Sequence, residues 1–146
     1  MKYLRDATYV VGGYVVRGGR VLLLWHGGLS RWVPTGGRIE LASGEYPHEA
    51  LIREVREETG LEVRAARLLA VYDNHTWRLP SIATHAYYVI FECERIGGEL
   101  TPSIETSDFR WVGLDDLDGL TLYKTHLHKV PNVLRLYAER APADYH

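Results

Sequence analysis

Three glutamates, Glu54, Glu57 and Glu58, stand at positions i, i+3 and i+4 of a stretch with helical character. At that spacing their side chains share one face of a helix. Like charges so placed repel by about 0.2–0.5 kcal/mol per pair in an isolated helix, and the C-terminal half of a helix also disfavours anions. Two interpretations follow. The face is either a solvated one paired with Arg53 and Arg56, or a set of oxygen ligands for a divalent cation such as Mg²⁺ beside a substrate phosphate.

The helix that presents these acids has clear limits in the sequence. Pro47 suits the first helical turn, where its missing N–H is not needed. Gly60 stands where a left-handed cap would end the helix. Between them, Ala50, Leu51 and Val55 mark the side that packs inward. The pattern therefore predicts a glycine-rich loop that leads into a capped helix.

The loop and the helix together closely resemble the signature of the Nudix hydrolases, Gly-x5-Glu-x7-Arg-Glu-U-x-Glu-Glu-x-Gly-U, in which U is aliphatic. The corresponding stretch is Gly37-x7-Glu45-x7-Arg53-Glu54-Val55-x-Glu57-Glu58-x-Gly60-Leu61. Every fixed residue of the signature is present. The first spacer has seven residues instead of five, as if two residues of Leu41-Ala42-Ser43 were inserted. With its Trp-x-Pro-x-Gly-Gly lead-in from Trp32 to Gly37, the stretch is similar to a MutT-like branch with a longer loop.

The resemblance implies a role for each matching residue. Glu54, Glu57 and Glu58 are expected to bind Mg²⁺ or Mn²⁺. Arg53 is expected to pair with these glutamates and orient them, and Glu45 to add an outer or water-mediated contact to the metal. The alternative for Arg53 and Glu45 is an ordinary surface ion pair, worth at most about 1 kcal/mol.

Two further contributions to the site are expected on the same grounds. The carbonyl of Gly36 is expected to reach the metal, since a residue without Cβ permits a close backbone approach. Glu105 is the candidate for an additional acid outside the signature, as a ligand or general base, and its alternative is a solvated loop glutamate. Asp108 is a weaker candidate. Which acid activates water stays open.

Substrate contacts are expected from residues in or beside the signature, namely Trp32, Gly37 and Arg38. Trp32 could stack on a nucleobase, since its ring suits a half-wet site, and a position in the core is its alternative. For the other aromatic candidates, the core is the favoured interpretation: Trp77, Tyr87 and Tyr123.

The expected reaction follows from what phosphoanhydride hydrolysis requires. The negative charge must be neutralised, the water aligned and the leaving phosphate stabilised. The resemblance implies a pyrophosphohydrolase that acts on a nucleoside diphosphate linked to another group, X, and releases a nucleoside monophosphate and phosphoryl-X. Two alternatives stay open: a nucleotide-sensing module without turnover, and a hydrolase of 5′-capped or 5′-triphosphate RNA. The full set of acids argues against the first, and the lack of a basic patch against the second.

Composition sets the broad class. The chain has 146 residues, 46% hydrophobic and 25% charged, and a net charge of −2, which predicts a single domain over residues 1–146. A small nucleotide is the expected partner. No run of Lys or Arg suggests that the chain binds nucleic acid, and no apolar run suggests a membrane span. A homodimer is a possible oligomeric state. The single cysteine, Cys93, excludes an intrachain disulfide framework. Without a signal-peptide pattern, the cytoplasm is the expected location.

Strand and helix patterns predict the fold class. Alternating or apolar stretches predict a hairpin at 8–26 and strands at 62–72, 82–94 and 109–112, and a helical spacing predicts a last helix at about 125–139. Strands around one helix, with a second helix at the end, indicate an α/β fold with a mixed sheet packed between helices. The Nudix resemblance implies the same α/β/α sandwich, with a loop–helix–loop catalytic motif.

Overall fold

A mixed sheet and one α-helix make up most of what the computed structural model describes, residues 8–74, 86–116, 135 and 144–145. The strands are β1 (Thr8–Arg17), β2 (Arg20–His26), β3 (Arg31–Val33), β4 (Thr35–Arg38), β5 (Leu61–Asn74), β6 (Ala86–Gly98), β7 (Thr106–Val112) and β8 (Asp144–Tyr145). The helix α1 spans Pro47–Thr59, and 3₁₀ turns lie at Leu41–Ser43 and Leu114–Asp116. The predicted last helix, at about 125–139, lies outside the described residues except for residue 135.

Strand β1 is the centre of the sheet. The strands follow the order β3-β2-β1-β6-β5-β8, while β4 pairs with β1 and β7 with β2. β1 runs parallel to β6 and antiparallel to β2 and β4. The sheet is therefore mixed, as the sequence predicts. The predicted two-residue turn of the first hairpin is also present, with positive φ angles of 55° and 77° at Gly18 and Gly19, which is why glycines serve there.

Alternation along β1 separates two buried faces. Val11 and Val15 belong to the cluster that includes the inner side of α1, whereas Val10 and Tyr14 belong to the cluster on the opposite face. A strand whose two faces are both covered carries apolar residues at successive positions. Burying one such side chain contributes about 1.5–3 kcal/mol.

Helix α1 is placed by its inward side. Ala50, Leu51 and Val55 are fully buried, as the sequence predicts. Leu51 fits because Gly13 of β1 lacks a side chain: a Cβ there would overlap the Leu51 methyl group and lie 2.8 Å from the Thr35 hydroxyl. The helix also ends as predicted, with Gly60 at φ 78° and its N–H donated to the Arg56 carbonyl. This docking directs the acidic side of α1 toward β4.

None of the helices in the described part of the chain has the length and apolar character needed to cross a membrane.

Candidate active site

A cavity of about 820 Å³ lies beside the acidic side of α1. A volume of this size is typical of small-molecule sites. Its wall combines acids, glycines and apolar side chains from five segments of the chain: Val10, His26, Leu29, Val33, Gly36, Gly37, Glu54, Glu57, Glu58, Tyr88, Ser103, Ile104 and Glu105. All three helix glutamates and Glu105, which were predicted from the sequence, line this cavity.

Glu58 is anchored to the strand in front of the helix. Its Oε1 accepts a hydrogen bond from the Gly36 N–H at 2.9 Å. Burial above all, together with the charges of Glu54, Glu105 and Glu57, raises the pKa of Glu58 to about 8, although the Gly36 hydrogen bond lowers it. A carboxylate in this environment lacks positive charge nearby.

Arg53 connects the helix acids to the loop. Its Nε and Nη2 donate to the two carboxylate oxygens of Glu45 at 2.8 and 2.9 Å, and its Nη1 donates to Glu54 Oε1 at 2.9 Å. Nη2 also donates to the Arg38 carbonyl at 3.0 Å. Glu57 lies farther from Nη1, at 3.6 Å. A planar guanidinium bonded on several sides is held rigidly, so Arg53 orients Glu54 more firmly than Glu57.

Glu54 remains short of positive charge despite this contact. Its pKa is raised, because burial outweighs the hydrogen bond and charge of Arg53, and the charges of Glu57 and Glu45 add to the rise. Gly37 gives the carboxylate its space: a Cβ on Gly37 would overlap Glu54 Cδ and Oε1 and lie 2.7 Å from Oε2. The glycine that begins the signature is therefore required by the position of Glu54.

The extended loop before the helix forms a compact turn. Residues Leu41–Ser43 make a 3₁₀ turn that closes when the Gly44 N–H donates to the Leu41 carbonyl at 3.0 Å. The Glu40 N–H then donates to Glu45 Oε1 at 2.9 Å. Hydrogen bonds from Arg53, and secondly from this N–H, lower the pKa of Glu45 to about 2. The turn thus positions the ionised carboxylate of Glu45 for its hydrogen bonds with Arg53. The residues of the turn do not line the cavity.

The acids of α1 fit a hard divalent cation by their chemistry, because they offer carboxylate oxygens alone. In the part of the chain that the structure describes, however, no three acidic, histidine or cysteine side chains stand in a group that could hold a metal ion as they are. Glu54, Glu57 and Glu58 therefore stay the predicted ligands of Mg²⁺ or Mn²⁺. Gly36 and Glu45 stay predicted supporting contacts.

The predicted substrate contacts are spread over different environments. Gly37 lines the cavity, whereas Trp32 and Arg38 are not among its lining residues. Trp32 is 8% exposed and packs edge-on against Trp25 in the core cluster, and the guanidinium of Arg110 lies 5.0 Å from its ring centre. The structure places Trp32 in the core position that the sequence left as the alternative.

Several lining residues have no counterpart in the sequence-based prediction. They are His26, Leu29, Tyr88, Ser103 and Ile104. None belongs to a motif, and they reach the cavity through strand ends and loops that are distant in sequence. An unusual signal exists for two of them, since Leu29 and Ile104 are large apolar residues in otherwise polar loops.

Comparison with known proteins identifies the family of this chain. A family model described as the NUDIX domain matches residues 7–135. The protein YjhB of Bacillus subtilis (strain 168) is 32% identical over 111 residues, which are 76% of this chain; the chain spans 52% of the length of that protein.

Solved structures show the same fold. The crystal structure of a UDP-X diphosphatase superposes with a TM-score of 0.82 at 23% identity, over 96% of this chain and 67% of that one. An ADP-ribose pyrophosphatase from Streptococcus suis 89-1591 has a TM-score of 0.76 at 25% identity, over 95% of this chain and 98% of that one. Since the family model spans most of the sequence and its signature acids meet in one cavity, the chain belongs to the Nudix family.

Proposed function

We propose that this chain is a divalent-metal-dependent hydrolase of a phosphoanhydride bond in a nucleoside diphosphate linked to another group, X. Two of the similar proteins are named for such compounds, an ADP-ribose pyrophosphatase and a UDP-X diphosphatase. In both names the substrate is a nucleoside diphosphate that carries a further group.

We refer to the glutamates that line the cavity, Glu54, Glu57, Glu58 and Glu105, as the acidic wall. The observation that carries the proposal is the shortage of positive charge on this acidic wall. Burial and mutual repulsion raise the pKa of both Glu54 and Glu58. Arg53 is bonded to Glu54 and already divides its donors among Glu45, Glu54 and the Arg38 carbonyl. Carboxylates in a cleft whose pKa values are raised by burial and by neighbouring charges are typical of a functional site, and a divalent cation would balance their charges.

A bound Mg²⁺ or Mn²⁺, held by Glu54, Glu57 and Glu58, would neutralise phosphate oxygens and lower the pKa of bound water. The chain itself contributes the positions of these groups. Arg53 holds Glu54, and the Gly36 N–H holds Glu58. A water oxygen bonds to one phosphorus, the bridging P–O bond breaks, and the departing phosphate takes the bonding electrons. The proton of that water passes to a carboxylate of the wall, for which Glu105 is our candidate.

The test is hydrolysis of a panel of nucleotides and nucleoside diphosphate derivatives with Mg²⁺ or Mn²⁺. Glu57→Gln removes a proposed ligand that is exposed and bonded weakly to Arg53, so the fold should tolerate it. We expect a loss of about 100-fold or more in kcat on the best substrate. The matched control is Glu62→Gln, which changes an exposed glutamate paired with Arg56 outside the cavity.

The outcomes separate the alternatives. Full activity in Glu57→Gln would show that the ligand assignment is wrong. Tight binding of one compound without turnover of any would favour a nucleotide sensor over an enzyme. Turnover that depends on the cation and on Glu57, but not on Glu62, would support the proposal.

A further inference from the structure

A strand end and two loops build the part of the cavity wall that lies outside the signature. His26 ends β2, Leu29 lies in the next loop, and Ile104 precedes β7. The two loops are joined, because the Gly27 N–H donates to the Glu105 carbonyl at 3.3 Å. We refer to His26, Leu29 and Ile104 together as the recognition wall.

A β-bulge lies where His26 pairs with β7. The pairing of β2 with β7 steps from Trp25–Asp108 to His26–Thr106, so that β7 carries one additional residue at this point. Bulges of this kind re-aim a side chain and are frequent beside active sites. Here the bulge lies where β2 reaches the cavity.

The loop after β2 holds the imidazole of His26. The Leu29 N–H is shared between the His26 carbonyl and the His26 Nδ1, each at 3.2 Å. Gly28 packs against the ring, since a Cβ there would lie 3.2 Å from His26 Cε1. Ser30 closes the turn with a positive φ of 51°. The ring is therefore fixed before any ligand arrives.

This hydrogen bond also assigns the free nitrogen. Because Nδ1 accepts from Leu29, the hydrogen of a neutral imidazole is on Nε2. Since His26 lines the cavity, Nε2–H is the hydrogen-bond donor that the ring has left for a ligand. Such a group suits a carbonyl oxygen, a ring nitrogen or a hydroxyl of a ligand.

Leu29 and Ile104 make the rest of the recognition wall apolar. Their exposed fractions are 42% and 104%. Among the large apolar side chains that are exposed in the described residues, these two line the cavity. Exposed aliphatic groups beside a few polar ones are typical of a surface that binds an organic group.

We propose that the recognition wall binds the nucleoside of the substrate, with His26 Nε2–H donating to an acceptor on the nucleoside and Leu29 and Ile104 packing against it. The inference rests on the proposed function, in which the acidic wall and its cation take the diphosphate. His26 is thus a specificity-determining residue that contacts substrate.

Two substitutions at His26 separate recognition from loop support. His26→Asn places an amide oxygen near the position of Nδ1, so the Leu29 N–H keeps an acceptor while the Nε2 donor is lost. His26→Gln places an amide N–H near the position of Nε2 and removes the acceptor for Leu29. We expect His26→Asn to weaken nucleotide binding about ten-fold and His26→Gln to weaken it by about three-fold at most.

The measurement is isothermal titration calorimetry in the presence of Mg²⁺, with ADP, GDP, CDP, UDP and inorganic pyrophosphate as probes. Pyrophosphate has no nucleoside, so His26→Asn should leave its affinity within about two-fold of the wild type. Ile104→Ala should weaken the best nucleoside diphosphate and leave pyrophosphate unchanged. Ile96→Ala is its control, because Ile96 is also exposed but does not line the cavity.

Three outcomes would overturn the inference. If His26→Gln loses binding and His26→Asn keeps it, His26 only supports the loop. If pyrophosphate affinity falls together with nucleotide affinity, the wall does not discriminate the nucleoside. If no nucleoside diphosphate binds more tightly than pyrophosphate, the wall recognises no nucleoside. If the wild type hydrolyses a nucleotide but substitution of His26 does not change nucleotide binding, this inference is refuted and the proposed function stands. If substitution of His26 weakens nucleotide binding but the wild type hydrolyses no compound, only the proposed hydrolysis is refuted.

Discussion

Gly37→Ala adds one methyl group at the point where the loop touches the acidic helix. The new Cβ would overlap Cδ and Oε1 of Glu54 and lie 2.7 Å from Oε2. Since carbon atoms pack at about 3.5–4.0 Å, the carboxylate must move by roughly 1 Å. Its hydrogen bond to Arg53 Nη1 is 2.9 Å long, and a displacement of that size is enough to break it.

The expected effect falls on catalysis more than on folding. A displacement of about 1 Å in a catalytic group can cost about 100-fold in rate, and we expect a loss of that order in kcat/KM. The obstacle is the end of a flexible side chain, so the free energy of unfolding should change by about 1 kcal/mol at most, or about 2–4 °C in Tm for a domain of this size. Product release from the best nucleotide measures kcat/KM, and thermal unfolding measures Tm.

Two other glycines provide the controls. Gly36→Ala would press its Cβ against the Val11 carbonyl in the β1–β4 pairing, so it should lower Tm strongly. Gly97→Ala meets only Glu62 Cβ at an ordinary 3.7 Å and should change neither quantity. If folded Gly37→Ala keeps kcat/KM within about three-fold of the wild type, the position of Glu54 does not govern catalysis and our reasoning is refuted.

Three further predictions concern the same network. Arg53→Lys removes the guanidinium that bonds to both Glu45 and Glu54, and it should lower kcat by about 10- to 100-fold in steady-state assays. Arg56→Lys is the control, and an equal loss of kcat in both variants would contradict this prediction. In the metal-free folded protein, the pKa of Glu58 is raised to about 8, whereas in the unfolded chain it has the ordinary value of 4.5. Between these two pH values the folded protein binds one more proton than the unfolded chain. The free energy of unfolding therefore falls as the pH rises through this window. Mg²⁺ should therefore raise Tm more at high than at low pH in that window, and Glu58→Gln should flatten the difference in thermal scans. Deletion of Ala42-Ser43 should leave the ranking of nucleotides by kcat/KM unchanged, because the turn does not line the cavity; a new ranking would show that it does.

The helix and its charges could be predicted from the sequence because their determinants are local. Pro47 and Gly60 mark the two ends of α1, and the periodicity places the acids on one face. The family resemblance also led us to expect that Arg53 pairs with the helix glutamates, and Arg53 does contact Glu54. Its bonds to Glu45 are the ion pair that the sequence left as the alternative. These features depend on a stretch of the chain short enough for spacing to determine geometry.

The rest of the site depends on contacts between distant segments. The Gly36 N–H meets Glu58 because β4 pairs with β1 in front of the helix. His26 enters the cavity at a bulge between β2 and β7, and a bulge leaves no periodic pattern in a single sequence. Trp32 is an example of a predicted site residue that does not line the cavity. Its place beside the signature suggested a substrate contact, but it packs against Trp25 in the core.

The acidic wall and the recognition wall therefore respond to different changes in the chain. The acids and Arg53 come from α1 and from Glu45, which an internally bonded turn holds in place. His26 ends β2 and Ile104 lies in the loop before β7, and the two loops at this edge are joined by the hydrogen bond from the Gly27 N–H to the Glu105 carbonyl. Loops tolerate substitution and changes in length better than the packed helix does. Exchanging the two loops with those of another Nudix protein should consequently change which nucleoside is bound while the cation and the phosphate chemistry stay with α1.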